Sequence, residues 1–187
     1  MGTDNTRNAE RTRREVIDAA RAELKLRGTA MSIQHVATTA GVSKSGLLHH
    51  FATKNELLLA VLEDYLGSIR QGVLERVDLS ENRPGKGLRA YVRALCEPDS
   101  QLRSEFANFA DISPHLTEVE GVDALNERDN AYWRDFFASD GLDPDRILLV
   151  RYAAEGLANA SSYDSRVVSE DLPRALPLLL GMTDGSH

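Results

Sequence analysis

Residues 31–58 read MSIQHVATTAGVSKSGLLHHFATKNELL, and the fold prediction starts from this stretch. It divides into two short helical segments at Gly41, because glycine tolerates the left-handed backbone of a tight turn. Ser32 and Ser43 stand immediately before the two segments, and serine is a preferred N-cap because its hydroxyl accepts a backbone N–H. The stretch is therefore predicted to form two short helices joined by a tight turn, the second helix covering residues 43–50.

The second short helix has one apolar side and one polar side. Val42, Leu47 and Phe51 are apolar and are predicted to be buried. The polar side carries Ser43, Lys44, Ser45, His49 and His50. Gly46 lacks a side chain, so the backbone there can approach a partner closely. A support helix, a glycine turn and a two-sided second helix are typical of a helix-turn-helix, whose second helix enters the major groove of DNA.

The rest of the chain is also predicted to be helical, because no period-2 alternation and no hairpin signal occurs in it. A long fourth helix is predicted over 54–77, with Thr53 as its N-cap and Glu56 as the partner in a capping box. Its apolar residues recur every four positions, so the apolar face rotates along the helix and can contact two cores. The other predicted helices are 10–26, 33–40, 86–96, 99–112, 117–139, 144–163 and 170–182. The only plausible boundary loop is 78–86.

The stretch VSKSGLLHHFATKNELL, residues 42–58, resembles the DNA-binding domain of the TetR (tetracycline repressor) family. In that family the third helix typically reads VSKGTLYHHF and a Lys-Glu-x-Leu entry to the fourth helix follows. The resemblance covers residues 11 to about 62. It implies an all-α fold of about nine helices. A three-helix DNA-binding head, 8–54, would be joined by the fourth helix to a C-terminal effector-binding and dimerisation domain, 55–184.

The resemblance also implies individual contacts with DNA. By position, Ser32 and Gln34 would meet the DNA backbone, and Lys54 would hold a phosphate. The residues implied at or beside the groove are Ser43, Lys44, Ser45, Gly46, Leu48, His49 and His50. Two of these depart from the family pattern, because Leu48 stands where tyrosine is usual and Gly46 where threonine is common. Each departure removes a hydroxyl that could bind phosphate.

Charge is unevenly distributed along the chain. Residues 1–54 hold 9 Lys and Arg against 5 Asp and Glu, whereas residues 55–187 hold 13 against 24, so a head of +4 precedes a body of −11. This asymmetry fits a polyanion bound at one end, and it fits composition noise equally. Four arginines near the amino terminus could reach a DNA groove or phosphate, and a solvated tail explains them as well: Arg7, Arg11, Arg13 and Arg14.

A homodimer is predicted, because a short reading helix binds specifically only when two copies read two half-sites. The helix that contains residues 147–161 has a second apolar face, formed by Leu149, Ala153, Gly156 and Ala160. The last helix is apolar over a wide face that includes Leu176, Leu179 and Leu180. We expect these two helices to pair with their copies as a four-helix bundle. The alternative is one large monomeric core.

A small-molecule pocket in the second domain is implied by the resemblance. Residues 122–137 place Asn126 and Asp129 in the same arc as large aromatic side chains. A buried carboxylate needs a partner, so either a neighbouring helix or a cavity holding water and ligand must supply it. The residues expected to line the pocket are Tyr91, Phe106, Phe109, His115, Asn126, Asp129, Tyr132, Trp133, Phe136 and Tyr152. The expected effector is amphipathic or weakly basic and is oriented by Asp129.

The other function classes receive little support from the sequence. The motifs G-x-x-x-x-G-K-[ST], G-x-S-x-G and C-x-x-C are absent, so an enzyme is not expected. His35, His49 and His50 lack a cysteine or carboxylate at metal-ligand spacing, so neither metal nor cofactor is expected. No apolar run spans a bilayer and the single cysteine forms no internal disulfide, so a cytoplasmic protein is predicted. A helical protein-interaction module remains an alternative, one that would lack salt-dependent DNA affinity.

Overall fold

A computed structural model describes the backbone of residues 2–184 and the side chains from residue 7 onward. Within that range the chain contains nine α-helices and no strand, which confirms the predicted all-α fold. The helices are α1 Gly2–Arg27, α2 Ile33–Thr39, α3 Lys44–His50, α4 Lys54–Leu74, α5 Lys86–Cys96, α6 Gln101–Ile112, α7 Val122–Ala138, α8 Pro144–Ala160 and α9 Leu172–Met182. Two 3-10 turns, Gly28–Ala30 and Ser113–His115, and one π-helical turn, Val167–Asp171, lie between them.

Several helix ends differ from the sequence prediction. Helix α7 begins at Val122 instead of residue 117, and α8 ends at Ala160 instead of residue 163. Helix α1 begins at Gly2 instead of residue 10, because the polar residues before the apolar pattern carry no periodicity that could reveal a helix. Helix α4 ends at Leu74 instead of residue 77, because the N–H groups of Arg76 and Val77 bond three residues back and tighten the last turn. None of the helices within residues 2–184 is long and apolar enough to cross a membrane.

The first of two compact units ends at Tyr65 and is completed by the later segment Asp111–Leu125. Helix α1 packs on α2, and α2 packs on α3. The buried core of these helices and of the front of α4 includes Val16, Ala20, Leu24, Val36, Ala37, Leu47, Phe51, Leu57 and Val61. The boundary between the units falls inside α4, so this helix contributes to both cores, as its rotating apolar face predicts.

A carboxylate fastens α1 to the end of α2. The Thr39 hydroxyl and the Arg27 Nε both donate to the Glu23 carboxylate at a distance of 2.6 Å. Glu23 is only 6% exposed. These two bonds, that from Thr39 first, hold the pKa of Glu23 below its usual value. The ionised carboxylate therefore holds the two helices together.

The segment Asp111–Leu125 is attached to the first unit by polar contacts that the sequence did not predict. The Asn55 side-chain amide donates to the carbonyl of Glu120 and accepts from its N–H, both at 3.0 Å. Gly28 has φ +54°, and a Cβ built there would lie 2.7 Å from the ring of His115. Glycine at position 28 is therefore required both by its backbone conformation and by the close approach of His115.

The second unit contains Leu66–Ala110 and the chain from Asn126 onward. Helix α5 lies inside it and packs against α8 and α9. The Asp140 carboxylate accepts the N–H groups of Gly87 and Leu88 at 2.9 and 2.8 Å, so it satisfies two free donors at the start of α5. A residue at the end of one helix therefore caps another in this core.

One buried arginine joins the beginning and the end of the second unit. Arg89 is 1% exposed, and its guanidinium donates to the carbonyls of Thr183 and Pro84, both at 2.8 Å. Its Nε also donates to Glu81 at 3.1 Å. A buried guanidinium is tolerated only when its donors are occupied, and here backbone and carboxylate together occupy them.

Candidate nucleic-acid interface

Two serine N-caps and a glycine turn fix the geometry of α2 and α3. The Ser32 hydroxyl accepts the N–H of His35 at 3.2 Å, and the Ser43 hydroxyl accepts that of Gly46 at 3.0 Å. Gly41 has φ +68°, the left-handed conformation that the turn requires. The short α3 therefore begins at a defined residue and in a defined direction.

Helix α3 is buried on one side and open on the other. Leu47 is 0% exposed and Phe51, immediately after the helix, is 3% exposed. The exposed residues are Lys44, Ser45, Leu48 and His49. At 100° per residue these four positions fall within one arc of about 140°. Four of the predicted DNA-contact residues therefore form one continuous outward surface.

The remaining predicted contacts of α2 and α3 lie at the margins of that surface. Gly46 and His50 are half-buried, and the ring of His50 stands edge-on to that of His49 with centroids 5.7 Å apart. Gln34 is exposed on α2, and Ser43 is exposed although its hydroxyl serves as the cap of α3. Ser32 is half-buried, and its hydroxyl also serves as a cap.

Lys54 has a structural role that sequence reasoning missed. Its ammonium donates to the carbonyls of Thr29 and Met31, at 3.0 and 2.6 Å, and thereby ties the start of α4 to the turn after α1. The predicted capping of α4 is present in modified form. The Thr53 hydroxyl accepts the N–H of Glu56 at 3.0 Å, and the Glu56 carboxylate accepts the N–H of Ala52 at 2.8 Å.

In the second unit, aromatic rings gather around α7. Neighbouring rings have centroids 5.0 to 6.2 Å apart, in edge-to-face and stacked arrangements. The cluster consists of Tyr91, Tyr132, Trp133, Phe136 and Phe137. Four of these five residues were expected to line a pocket, and Phe137 was not. Its i+4 spacing from the buried Trp133 indicates that it continues the same face of the helix.

Asp129 has a partner from a neighbouring helix, the first of the two alternatives that the sequence left open. Its carboxylate pairs with Arg70 of α4, with Nε to Oδ1 at 2.7 Å and Nη2 to Oδ1 at 2.6 Å. The Arg70 guanidinium also lies 4.9 Å above the centroid of Tyr132. No pattern in the sequence singled out Arg70, because a lone arginine in a helix is usually solvated.

A second polar group in the cluster is also bonded within the chain. The Tyr91 hydroxyl donates to the Glu155 carboxylate at 2.7 Å, and Arg151 donates to the same oxygen at 2.8 Å. Burial, reinforced by the negative charge of Glu155, raises the pKa of Tyr91 well above its usual value. Tyr91 is therefore a neutral hydrogen-bond donor at physiological pH.

The other predicted pocket residues are placed differently. Phe106 and Phe109 are half-buried on α6, whereas Asn126 and Tyr152 are exposed. His115 belongs to the first unit, where it lies against Gly28. Among the side chains described, no group of three His, Cys, Asp or Glu residues is arranged to hold a metal ion.

The predicted dimer surface is exposed on α8 and mixed on α9. Leu149 is 59% exposed, and Ala153 and Gly156 are exposed beside it. Ala160, Leu176 and Leu180 are half-buried. Leu179 is only 6% exposed and packs inside its own chain, whereas its neighbour Leu178 is 69% exposed. The exposed apolar surface of α9 therefore includes Leu178 in place of the predicted Leu179.

Comparisons with known proteins cover both parts of the chain. The family described as bacterial regulatory proteins, tetR family, matches residues 16–61, and the family described as tetracyclin repressor-like, C-terminal domain, matches residues 85–184. The HTH-type transcriptional regulator BetI of Rhizobium meliloti (strain 1021) is 30% identical over 88 residues. That match covers 46% of this chain and 43% of BetI, which is less than half of that relative.

Solved structures resemble the chain over most of its length. A transcriptional regulator from Rhodococcus sp. Rha1 has a TM-score of 0.70 at 21% identity, over 91% of this chain and 95% of its own. The multidrug binding protein EbrR, solved in complex with malachite green, has a TM-score of 0.62 at 21% identity, over 91% and 97%. At these identities the structural matches establish the fold.

Proposed function

The chain belongs to the TetR family of bacterial regulatory proteins, and from this premise we propose that it is a transcriptional repressor that binds a palindromic operator as a homodimer and is released by a small-molecule effector. Proteins of this family regulate transcription by binding DNA and are not enzymes. One observation carries the proposal. The continuous exposed arc of α3 stands on a helix whose other side is held in the core by Leu47.

The chemistry of that arc suits duplex DNA. Lys44 contributes a positive charge and three donors, and Ser45 and His49 contribute groups that bind phosphate or base edges. Leu48, 38% exposed, can contact a thymine methyl group. In this proposal Ser43, Gly46 and His50 border the groove, and Ser32 and Gln34 approach the DNA backbone from α2.

Lys54 takes part in the proposal in a restricted way. An ammonium group has three donors, and the carbonyls of Thr29 and Met31 occupy two of them. The third N–H can donate to a phosphate at the start of α4. Because the other two bonds fix the ammonium in place, that contact would cost little side-chain entropy.

The operator is testable by selection of bound duplexes from a random DNA pool with the purified protein. We expect a palindrome whose half-site centres lie about 34–36 Å apart, or a multiple of that distance. Replacing Lys44 and His49 together by alanine should weaken binding by at least about 100-fold, since each contact contributes roughly 1–3 kcal/mol.

The matched control for this experiment is the double variant Arg128→Ala and Arg134→Ala, which changes two exposed residues of α7. It should select the same palindrome with unchanged affinity. Enrichment of no common sequence by the wild-type protein, or unchanged affinity of the Lys44 and His49 variant at moderate salt, would contradict the proposed function.

We propose that residues 8–54 act as the DNA-binding domain and residues 55–184 as the effector-binding and dimerisation domain. The apolar surface of α8 that includes Leu149, Ala153 and Gly156 would pack on its copy, and a Cβ built at Gly156 would meet no described atom within 4 Å beyond the adjoining residues and backbone of its own helix. Small residues permit close helix approach, and exposed apolar surface of this kind marks an interaction site. On α9 we place Leu178 in the interface beside Leu176 and Leu180, in preference to the inward-facing Leu179.

The dimer is testable by the molecular mass in solution. Leu149→Glu should convert a dimer into a monomer, because it introduces a charge into an apolar interface. Leu79→Glu is the matched control, since Leu79 is 83% exposed in the loop before α5 and should leave the mass unchanged. A wild-type protein that remains monomeric at concentrations where it binds its operator would exclude the dimer.

The effector proposal centres on the aromatic cluster of the second unit. EbrR, which shares this fold, is a multidrug binding protein that was solved with malachite green. In the present chain, rings around α7 and the carboxylate of Asp129 suit an amphipathic or weakly basic molecule. Its cationic group would have to displace Arg70, which occupies Asp129 and lies over Tyr132.

Displacement of Arg70 offers a physical route to release of the operator. A ligand changes DNA affinity only by binding one conformation better than another. Arg70 lies on the rear half of α4, so loss of its bond to Asp129 would free that part of the helix. The front half of α4 belongs to the DNA-binding unit, and its movement would change the separation of the two copies of α3.

Both parts of the effector proposal are testable. A thermal-shift screen of a compound library should find a basic aromatic ligand, and Asp129→Ala should weaken its binding. Small-angle scattering should then show a different separation of the heads with and without that ligand. Unchanged affinity in the Asp129 variant would contradict the role given to Asp129, and an unchanged separation would contradict the release mechanism.

We propose a cytoplasmic location, where operator DNA is accessible. Cys96 is buried and free, and burial raises the pKa of its thiol to about 12. A protonated, buried thiol without a disulfide partner suits a reducing compartment.

A further inference from the structure

Helix α1 presents an arginine face that the helix-turn-helix does not include. Because α1 begins at Gly2, positions 7, 11 and 14 are helical and recur at i, i+4 and i+7 on one side. Arg7, Arg11 and Arg14 are all exposed there. In the stretch 7–14 four arginines accompany one carboxylate, so the face carries a concentrated positive charge.

The same turns of α1 contact the end of α3 through a fourth arginine, Arg13. The guanidinium of Arg13 lies 4.8 Å above the centroid of the Phe51 ring, and Phe51 directly follows the last residue of α3. An open groove of about 500 Å³ runs along the same part of α1 and is lined by Arg7, Arg11, Arg13 and Arg14. The cation–π contact therefore holds these turns of α1, and the groove that the arginines line, beside the proposed DNA-reading helix.

Little within the described part of the chain neutralises these charges. Glu10 and Asp64 also line the groove, but Glu10 is one carboxylate beside four arginines, and the carboxylate of Asp64 pairs with Arg21 at 2.6 Å. Arg11 approaches Glu15 only at 3.8 Å, with both side chains more than half exposed, and an exposed pair of this kind contributes little. None of the ion pairs among the described side chains includes Arg7 or Arg14.

We propose that Arg7, Arg11 and Arg14 bind the phosphodiester backbone of the duplex outside the half-site read by α3. The inference rests on the proposed function, because it requires α3 to be on DNA. Within the face, Arg11 donates to the side-chain oxygen of Asn8 at 2.7 Å, a neutral partner that leaves its charge in place. Once α3 is bound, this exposed charge would attract flanking phosphates that come within the Debye length of about 10 Å at ordinary salt. Phosphate contacts position the protein and carry no sequence information.

The length of helix sets the reach of the contact. From Arg14 back to Arg7, α1 extends about 10 Å at 1.5 Å per residue. Duplex DNA advances about 3.4 Å per base pair, so the face can follow roughly three base pairs of backbone. The operator should therefore need a flank of about this length on each side, in any sequence.

The experiment compares the triple variant Arg7→Gln, Arg11→Gln and Arg14→Gln with the wild type on two duplexes. One duplex contains the selected palindrome with about ten extra base pairs on each side, and the other ends at the palindrome. On the long duplex the variant should bind at least about tenfold more weakly, and its salt dependence should fall by up to about three ion equivalents per protomer. Its sequence preference should be unchanged.

Trimming the duplex provides the decisive comparison. On the short duplex the wild type should bind at least about tenfold more weakly than on the long one. The triple variant should bind both duplexes with the same affinity. A matched control, Arg128→Gln with Arg134→Gln and Arg166→Gln, makes the same charge change on exposed residues of the second unit and should follow the wild type on both duplexes. Thermal unfolding midpoints close to the wild-type value would show that both variants are folded.

Two outcomes separate this inference from the proposed function. If the triple variant keeps the wild-type affinity and salt dependence on the long duplex, the arginine face does not bind DNA, although the role of α3 stands. If the wild type shows no preference for any duplex while the Lys44 and His49 variant behaves identically, both proposals fail.

Discussion

The exposed side of α3 and the aromatic cluster around α7 both combine polar and apolar groups, but they differ in where the polar groups find partners. On α3, the Ser43 hydroxyl bonds to Ser45 and Gly46 of the same helix, and Lys44 is exposed. Around α7, Asp129 is bound by Arg70 of another helix, and Tyr91 is bound by Glu155. The polar groups of the α3 surface are exposed and can bind a partner molecule. The polar groups of the α7 cluster are already bonded to other side chains of the chain.

This difference indicates two kinds of recognition. In the proposed function, the α3 surface binds DNA with groups that are already exposed, so its affinity depends on the contacts that it makes with the duplex. The α7 cluster can bind a charged ligand only by exchanging it for an internal group, so its affinity is a difference between two sets of bonds. Such an exchange is also what couples a ligand to a change of conformation.

The largest expected change in stability tests whether α3 has one buried side and one exposed side. Leu47→Ala should lower the free energy of unfolding by about 2–5 kcal/mol, because Leu47 is 0% exposed and its removal leaves a cavity. The adjacent Leu48→Ala should change it by less than about 0.5 kcal/mol and weaken operator binding instead. Urea unfolding measures both, and similar losses for the two variants would contradict the two-sided helix.

The next effect tests whether the α7 cluster is held by its internal ion pair. Arg70→Ala should lower the free energy of unfolding by about 2 kcal/mol, because it leaves the nearly buried Asp129 carboxylate without its partner. The double variant Arg70→Ala with Asp129→Ala should lose less than the two single variants together. A double-mutant cycle measures this coupling, and strict additivity would show that the pair contributes no stability.

A smaller effect separates the two serines of α3. Ser43→Ala should cost about 1 kcal/mol of stability, because its hydroxyl accepts the N–H of Gly46 as the N-cap. Ser45→Ala should leave stability nearly unchanged, since Ser45 is exposed, and should act on operator affinity alone. Equal stability of the two variants in thermal unfolding would mean that the cap is dispensable.

The smallest effect concerns pH and the contact between α1 and α2. The folded pKa of Glu23 lies below its ordinary value of 4.5, so its stabilising contribution is complete above about pH 4.5 and is lost as pH falls through the lower, folded pKa. Thr39→Val removes the strongest cause of the shift and should therefore reduce this acid sensitivity. Urea midpoints near neutral pH and near pH 4 measure the difference.

Thr38→Val is the control for that measurement. The Thr38 hydroxyl donates to the Gln34 carbonyl of its own helix and makes no contact with Glu23 among the bonds described. Its acid sensitivity should equal that of the wild type. A parallel shift of the Thr38 and Thr39 variants would show that the bond to Glu23 does not set the acid response.

The head of this protein could be predicted from sequence because each of its signals is local. Ser32, Gly41 and Ser43 specify caps and a turn from their own chemistry, and the structure shows each in its expected place. The open side of α3 followed from the apolar residues Val42, Leu47 and Phe51, of which Leu47 and Phe51 are buried and Val42 is half-buried. Residues on the exposed side of a short capped helix stay exposed, as the apolar pattern of that helix predicts.

Features that depend on distant residues could not be predicted in the same way. Arg70 and Asp129 are 59 positions apart, and Asn55 and Glu120 are 65 apart, so no local pattern connects them. Lys54 looked like a free cation because its acceptors, two backbone carbonyls, are invisible in a sequence. The amino-terminal turns of α1 were missed because residues 2–10 show no apolar period in the sequence.

The bonds of Arg89 have a consequence for how the protein is made. Its carbonyl acceptor on Thr183 is 94 positions later in the chain. At a synthesis rate of about 5–20 residues per second, roughly 5–20 seconds separate the appearance of the guanidinium from that of its acceptor. During translation the second unit must therefore wait, incompletely packed, until almost its last turn has been synthesised.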